Sequence, residues 1–264
     1  MIRALEKSRH LKSRIQAGES VLGTQLGLED PSIMELFGRA GYDWAVIDTE
    51  HAAHNPVTVK HMLQAALGWD IVPFVRPQIL DHDAIRMWLD IGATGILCPF
   101  INTAEDAQRL VDACRYPPRG KRGWNPRRAS DFGLSADEYL TNVEDCLIIL
   151  IIIESRLGAE NAEEILSVDG IDGVTIGPMD LSMDLGVFRQ FDAPSYIAAV
   201  DQIRQAAKKT GKALGSGIYS DEAARAAIRD KDTLLLSHLG DEQILSAGAV
   251  KGAAELRAYI AEQP

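Results

Sequence analysis

Short apolar segments alternate along the chain with segments whose apolar residues recur at helical spacing. The apolar segments are typical of strands that are buried on both faces of a parallel sheet. They cover residues 21–27, 44–50, 71–77, 95–101, 147–155, 173–182, 212–219 and 233–239. The segments of helical spacing cover residues 31–41, 56–68, 81–92, 103–115, 159–168, 194–210, 220–230 and 241–262.

Eight strand–helix pairs in strict alternation predict an α/β fold with a parallel sheet covered by helices. Eight such pairs in 264 residues predict a (β/α)8 TIM barrel, formed by residues 1–264 as one domain. A doubly wound open sheet is the alternative. It would usually carry a glycine-rich phosphate loop after its first strand, and the sequence GTQLGLEDP at residues 23–31 is not such a loop.

Composition narrows the classes of function. The formal net charge of -11 disfavours a general nucleic-acid or anionic-membrane binder, although a small anionic substrate needs only local positive charge. Three widely spaced cysteines predict neither a disulfide framework nor a thiolate zinc site, and they indicate a reducing, cytoplasmic setting. The longest apolar run, residues 146–153, is far shorter than the roughly 20 residues that span a bilayer. The amino terminus predicts a short polar helix and no secretory signal.

Charged residues stand at the ends of four predicted strands. A TIM barrel carries its functional groups at the carboxyl ends of the strands, so these side chains are predicted to meet at one rim. A single residue of this kind is often a helix cap or a salt-bridge partner, and we favour that interpretation for Glu50 taken alone. The residues are Asp48, Glu50 and His51 on the second strand, Arg76 on the third, Glu154 on the fifth and Asp180 on the sixth.

Glu154 and Asp180 follow neighbouring strands, which indicates a metal site. Two close carboxylates repel one another, and a divalent cation with a preference for oxygen ligands, Mg2+ or Mn2+, would relieve that repulsion. Alternatively, Asp180 caps the following turn and Glu154 pairs with Arg156 or another arginine.

The turn GPMDLS, residues 177–182, is a candidate substrate-binding segment. Gly177 is expected to allow a positive φ, and Pro178 to stiffen the turn. The backbone N–H groups of Met179, Asp180 and Leu181 would then line an anion pocket. An ordinary Gly-Pro turn is the alternative.

Asp48, His51 and Arg76 suggest acid–base chemistry. Asp48 could orient the His51 imidazole and favour its charged form, which would make His51 a general base. Arg76 would place a fixed cation where negative charge develops on an enolate. The alternatives are a histidine at a helix start and a structural salt bridge of Arg76.

Several motifs together resemble one family. WAVIDTEH, FVRP, LDIGATGILCPFI, RYPPRGKRG, RRAS, IIIES and DGVTIGPMDLS are similar to those of the HpcH/HpaI aldolases, the class II pyruvate-dependent aldolases that include 2,4-dihydroxyhept-2-ene-1,7-dioate aldolase. The resemblance runs in order from about residue 20 to 190. It implies a (β/α)8 barrel that assembles as a homo-oligomer, a hexamer or a trimer, with its last helix exchanged between subunits.

The resemblance also implies roles for individual residues. Glu154 and Asp180 would hold Mg2+, Mn2+ or Co2+, to which pyruvate binds. Asp48 and His51 would form the acid–base dyad, and Arg76 would steady the enolate oxygen. Asp90 would reach into the site of a neighbouring subunit.

The implied activity is a carbon–carbon lyase reaction, the reversible cleavage of a 4-hydroxy-2-oxo acid to pyruvate and an aldehyde. A citrate-synthase-like condensing enzyme that uses oxaloacetate is one alternative, and a non-catalytic barrel that binds keto acids is another. Ile152 is a departure, because the family commonly has Gln two residues before the metal glutamate. His238 stands where the family usually has small residues, and we expect it to be a satisfied core histidine rather than an extra site group.

The segment RYPPRGKRGWNPRR, residues 115–128, concentrates basic side chains in an acidic protein. We expect subunit packing and salt bridges. The alternative is a rim that attracts acidic or phosphorylated aldehydes.

Overall fold

The computed structural model describes residues 2–218, 225, 226, 228, 229 and 231–263. Its eight strands form a closed parallel barrel in chain order, with β8 paired to β1, which confirms the predicted (β/α)8 fold. The strands are β1 Val21–Leu26, β2 Trp44–Asp48, β3 Val72–Arg76, β4 Gly95–Cys98, β5 Ile148–Ile153, β6 Gly173–Ile176, β7 Ala213–Ile218 and β8 Thr233–His238.

Most of the helices pack around the barrel, whereas the first helix packs Leu11 and Ile15 against its interior cluster. The helices are α1 Arg3–Gln16, α2 Pro31–Ala40, α3 Pro56–Ala66, α4 His82–Asp90, α5 Ala104–Cys114, α6 Ala136–Cys146, α7 Arg156–Glu160, α8 Ala162–Leu166, α9 Pro178–Asp184, α10 Pro194–Thr210 and α11 Asp241–Ala261. Within the described residues, no helix is both long enough and apolar enough to cross a membrane.

Two predicted segments are divided differently in the structure, and one further helix was not predicted. The helix expected at 159–168 is two short helices, α7 and α8. The segment 173–182 is a strand only to Ile176, because Pro178 at the first helical position starts α9. Helix α6 was not predicted, although its buried residues Tyr139, Val143 and Cys146 have helical spacing. The helix predicted at 220–230 lies outside the described residues, apart from 225, 226, 228 and 229.

Two glycines let aromatic rings fill the barrel below the site. The rings of Trp44 on β2 and Phe74 on β3 stack with centroids 5.7 Å apart. A Cβ atom on Gly23 would lie 2.0 Å from the Trp44 ring, and one on Gly95 would lie 1.9 Å from the Phe74 ring. The barrel interior is therefore a packed core at the level of these two rings.

Candidate active site

A cavity of about 260 Å3 opens at the carboxyl end of the barrel. Predicted site residues from four strand ends and the following loops line it, namely His51, Arg76, Glu154, Gly177, Pro178, Met179 and Asp180. Its inner wall is apolar on one side, where Trp44, Val46, Leu97 and Ile152 lie. The fold thus brings the charged residues of β2, β3, β5 and β6 to one place.

Arg76 and Asp48 form a buried, two-pronged ion pair at the ends of β3 and β2. The Arg76 Nε–H donates to Asp48 Oδ1 over 2.9 Å, and Nη2 donates to Asp48 Oδ2. Burial alone would raise the pKa of Asp48, but the hydrogen bonds and charge of Arg76 hold that pKa below its usual range. Asp48 is therefore ionised at neutral pH, and the guanidinium has a fixed orientation.

The His51 imidazole lies beside Glu50 and not beside the Asp48 carboxylate. Its Nε2 is 3.5 Å from Glu50 Oε2. Asp48 instead accepts a hydrogen bond from the backbone N–H of His51, over 3.2 Å. The expected contact between Asp48 and the imidazole is thus replaced by one between Glu50 and the imidazole, because the Asp48 oxygens are turned toward Arg76 and the backbone.

Glu154 is a buried carboxyl group just after β5. Its Oε1 accepts a 2.8 Å hydrogen bond from the backbone N–H of Phe100, a residue held in the left-handed region with φ of 55°. Burial raises the pKa of Glu154 to about 7; the Phe100 hydrogen bond and the charge of Arg76 oppose this, and the negative charges of Asp180 and Glu50 add to it. A cation beside Glu154 would lower this pKa, because it would favour the charged carboxylate.

Gly177 is needed for space and not for a positive φ. Its φ is -85°, so the expectation of a left-handed conformation is wrong. A Cβ atom at this position would lie 2.4 Å from Glu154 Oε2 and 2.7 Å from Glu154 Cβ. The expected N–H donor of Leu181 is also taken, because it donates to the Gly177 carbonyl over 3.0 Å.

Replacing Gly177 with Ala is therefore expected to displace the Glu154 carboxylate. We predict a loss of catalytic turnover of about 100-fold, the size typical of a misplacement near 1 Å. The matched control is Gly68→Ala, where the new Cβ would meet only the Ala65 carbonyl oxygen at 3.6 Å. Rates from both variants would be compared after confirming equal thermal unfolding. Equal turnover in the two variants would contradict this account of Gly177.

The donor set of the cavity fits a divalent cation. Glu154 and Asp180 both line it, and the negative charge of Asp180 helps to raise the pKa of Glu154. Gly177 has no Cβ atom, so the space beside Glu154 Oε2 is left open. Among the described residues, no cluster of three or more His, Cys, Asp or Glu side chains could hold a metal. Glu154 and Asp180 are therefore candidate ligands, and further coordination positions would be open to water or substrate oxygens.

Asp90 lies away from this cavity in its own subunit. It is the last residue of α4, and its Oδ1 accepts a 2.7 Å hydrogen bond from Nη2 of the fully buried Arg122. Arg122 also donates to the Tyr139 hydroxyl and lies over the Tyr116 ring. The role of Asp90 in a neighbouring subunit stays a prediction.

The basic segment 115–128 forms salt bridges with acidic neighbours, which agrees with the salt bridges expected from the sequence. Its ion pairs are Arg115 with Asp169, Arg119 with Glu144, Lys121 with Asp112 and Arg122 with Asp90. None of these basic residues is among those that line the 260 Å3 cavity.

Ile152 and His238 differ in where they point. Ile152 is buried and lines the cavity with Glu154, as their shared strand parity predicts. The His238 Nδ1 lies 2.8 Å from the Tyr42 hydroxyl, so His238 has a hydrogen-bond partner outside the barrel interior. His238 is thus satisfied by a hydrogen bond, as expected, but it is half-buried and not a core residue.

Sequence reasoning missed the polar side of the cavity wall. Gln25, Thr175 and Ser237 line it from β1, β6 and β8. In the sequence, each is a polar residue within an otherwise apolar strand. Strand alternation predicts that such a residue faces the barrel interior, once it is known which positions of the strand point inward. Glu50 pairs with Arg76 over 3.2 Å, so the salt bridge favoured for Glu50 taken alone is present.

Comparison with known proteins places the chain in a family. The family model of HpcH/HpaI aldolase/citrate lyase matches residues 22–240. This chain belongs to that family. Hydroxypyruvate/pyruvate aldolase of Deinococcus radiodurans is 40% identical over 220 residues, which are 83% of this chain and 79% of that protein. The 4-hydroxy-2-oxo-heptane-1,7-dioate aldolase of Salmonella dublin is 38% identical over 240 residues, 90% of each protein.

Solved structures agree with this membership. The crystal structure of an HpcH/HpaI aldolase/citrate lyase family protein from Burkholderia cenocepacia superposes with a TM-score of 0.88 at 30% identity. The match covers 94% of this chain and 99% of that one. The aldolase-family chain therefore shares its barrel with an experimentally solved relative over nearly its whole length.

Proposed function

We propose that this chain is a divalent-metal-dependent class II aldolase that reversibly cleaves a 4-hydroxy-2-oxo acid to pyruvate and an aldehyde. Its enzyme class, a carbon–carbon lyase, follows from its family and its aldolase relatives. The observation that carries the proposal is one cavity lined by two carboxylates, Glu154 and Asp180, and by the anchored cation Arg76.

The negative charge that develops during the reaction explains why these residues lie close together. Breaking the bond between C3 and C4 of the substrate leaves an enolate on the pyruvate half, and that enolate must be stabilised. Arg76 is held by Asp48 through Nε and Nη2, so its guanidinium cannot rotate away from the cavity. A bound divalent cation, held by Glu154 and Asp180, would supply further positive charge for the oxygens of a 2-oxo acid.

His51 is the candidate base for the C4 hydroxyl proton. Its side chain is 64% exposed at the mouth of the cavity, so it can exchange protons with solvent after each turnover. Pyruvate and an aldehyde are the proposed small-molecule partners, with oxaloacetate as an alternative donor. Gly177 to Asp180 border the same space, which supports their proposed contact with substrate.

The direct test mixes the metal-loaded protein with pyruvate and a panel of aldehydes, and follows 4-hydroxy-2-oxo acids by NMR. We expect product formation that stops on chelation. Product only from oxaloacetate and an acyl thioester would identify the condensing enzyme instead. Pyruvate binding without product and without methyl-proton exchange would identify a non-catalytic keto-acid binder.

Metal binding is expected to stabilise the fold more at pH 8 than at pH 6. The pKa of Glu154 is raised from the usual 4.5 to about 7 in the folded state, so the folded state keeps a proton that the unfolded state releases. The metal-free protein therefore loses stability as the pH rises between these two values. A cation must displace that proton below pH 7, which weakens its apparent affinity about tenfold per unit. We predict that Mn2+ raises the unfolding midpoint several degrees more at pH 8, measured by thermal shift.

Glu154→Gln is the variant that checks this prediction. It removes the titrating group, so its Mn2+-dependent shift should be small and should no longer change between pH 6 and pH 8. An equally pH-dependent shift in this variant would show that the metal binds elsewhere.

We further propose that the chain is a homo-oligomer, because helix α11 is poorly covered by its own chain. Only Asp241 of this described helix is buried, and its carboxylate tethers the helix start to the N–H groups of Gly27 and Leu28. Beyond that point, apolar side chains are exposed along one side, namely Leu245, Leu256, Tyr259 and Ile260. A stripe of this size is typical of a surface buried by another subunit.

Leu256→Glu is expected to shift the protein toward monomers. A charge inside an apolar contact lacks a partner and opposes association. Ala254→Glu adds the same charge on another side of α11 and should leave the assembly intact. Light scattering after size-exclusion chromatography would give both masses, and a monomeric wild type would contradict the proposal.

A further inference from the structure

We propose that Gln25 and Ser237 bind a hydroxyl group on the aldehyde half of the substrate, so that this site takes short, uncharged hydroxyaldehydes. This inference rests on the proposed function, and it names the class of aldehyde that the site would use. In the aldol product the aldehyde carbon becomes C4, so the hydroxyl that is bound lies on C5 and takes no part in the bond that forms between C3 and C4. Gln25 and Ser237 are thus specificity-determining residues and not catalytic ones.

Polar side chains cover one continuous arc of the cavity wall. Thr175 on β6, Ser237 on β8 and Gln25 on β1 line this arc, and β7 contributes Gly217, which has no side chain. These four strands are neighbours in the barrel, with Gly217 paired to Ser237 and Ser237 paired to Gly23 of β1. Opposite them, the residues of β2, β4 and β5 that line the cavity are apolar. The cavity therefore has one side that can form hydrogen bonds and one side that favours hydrocarbon.

The polar side chains of Gln25, Thr175 and Ser237 are available to a ligand. All three residues are half-buried, and within the described part of the chain no hydrogen bond engages their amide or hydroxyl groups. Gln25 lies two residues after Gly23, whose inward side is filled by the Trp44 ring, so Gln25 also points inward, nearer to the carboxyl end of the barrel. A substrate hydroxyl can both donate and accept, as can the Gln25 amide and the Ser237 hydroxyl. It would therefore form the hydrogen bonds that half-buried polar groups normally make.

Among the described residues that line the cavity, none on the polar arc is basic. The basic residues of the lining are Arg76 on β3 and His51 after β2. Arg76 is already engaged by the carboxylates of Asp48 and Glu50. A carboxylate or phosphate on the aldehyde half would lie against neutral groups of β7, β8 and β1, in a cavity that Asp180 also lines. Its loss of hydration would not be compensated there, so the arc favours an uncharged substituent.

The size and layout of the cavity favour a short aldehyde. Its volume of about 260 Å3 is below the roughly 300–1,000 Å3 of cavities that hold drug-sized ligands. In the proposed reaction the enolate half lies beside Arg76, Glu154 and Asp180, which leaves the arc of β7, β8 and β1 for the aldehyde half. An aldehyde with a hydroxyl next to its carbonyl carbon would place that hydroxyl at Gln25 and Ser237.

Two aldehydes that differ by one hydroxyl test this assignment. Glycolaldehyde and acetaldehyde would each be condensed with saturating pyruvate and Mn2+, and the ratio of their kcat/KM values would be compared between wild type and Gln25→Leu. We expect the variant to lower this ratio about 10- to 100-fold, because the amide that pairs with the hydroxyl is lost. The intrinsic reactivity of the two aldehydes cancels in the comparison. Ser237→Ala should lower the ratio several-fold in the same direction.

Gln202→Leu is the matched control for this experiment. It makes the same chemical change at an exposed position of α10 and should keep the wild-type ratio. A Gln25→Leu variant that unfolds at the wild-type temperature and keeps the wild-type ratio would overturn the inference.

A second measurement needs only the wild-type protein. Glyceraldehyde and glyceraldehyde 3-phosphate differ by one charged group, and we expect kcat/KM to be at least about tenfold higher for the uncharged compound. An equal or higher value for the phosphorylated compound would overturn the inference in a protein that is still an active aldolase. No product from any of the four aldehydes would instead overturn the proposed function, and this inference with it.

Discussion

Glu154→Gln is expected to lower the rate of pyruvate methyl-proton exchange at least about 1,000-fold. The change keeps the size of the side chain and one carbonyl oxygen, but removes the negative charge of a metal-ligand candidate. Stabilisation of a developing enolate by a cation and fixed donors accounts for several kcal/mol of barrier lowering, so its loss has an effect of this size. The rate would be measured by NMR in deuterium oxide with saturating Mn2+.

The matched control for this prediction is Glu160→Gln on the exposed side of α7. It makes the same chemical change six residues away and should exchange pyruvate protons at the wild-type rate. Burial raises the pKa of Glu154, so its neutral amide replacement should not destabilise the fold. Loss of exchange with unchanged thermal unfolding would therefore report on the site alone. Near-normal exchange in Glu154→Gln would contradict the assigned role.

Arg76→Met is expected to reduce both stability and turnover. The variant leaves Asp48 and Glu50 as buried carboxylates without their cation, and breaking a buried pair by removing one partner costs about 3–5 kcal/mol. Turnover should fall about 1,000-fold in the fraction that remains folded, because the proposed donor to the enolate oxygen is lost. Denaturant unfolding and exchange kinetics would measure the two effects separately.

Arg109→Met provides the comparison. Arg109 is 58% exposed and pairs with Asp106 across one helical turn, so its removal should change the free energy of unfolding by less than about 1 kcal/mol. Arg76→Lys is the informative intermediate, because it retains the charge but loses the two-pronged geometry. Full activity in Arg76→Lys would contradict the view that the orientation of the guanidinium matters.

The sequence was sufficient to predict the barrel because each strand and helix carries its own periodic pattern. The site rim was also predictable, since parallel strands bring their carboxyl ends together and the charged residues stand at those ends. The sequence alone therefore predicted that one cavity contains Glu154, Asp180 and Arg76. Their proposed roles still depend on the tests above.

The remaining features depend on packing between distant segments. Whether Asp48 or Glu50 contacts the imidazole depends on how Arg76 divides its donors, and spacing along β2 cannot reveal that. The need for Gly177 comes from Glu154 on the neighbouring strand and not from the turn itself. The N–H of Phe100 reaches Glu154 only because the Phe100 backbone is left-handed, which its side chain does not favour.

Exchange of the pyruvate methyl protons in deuterium oxide reports directly on the proposed metal-dependent enolate. We expect loss of the methyl proton signal with the wild-type protein and Mn2+, no loss after chelation, and recovery when Mn2+ is restored. Exchange requires only the formation and reprotonation of the enolate, so it needs no knowledge of the aldehyde. A metal-loaded wild type that binds pyruvate yet leaves its methyl protons in place would contradict the account.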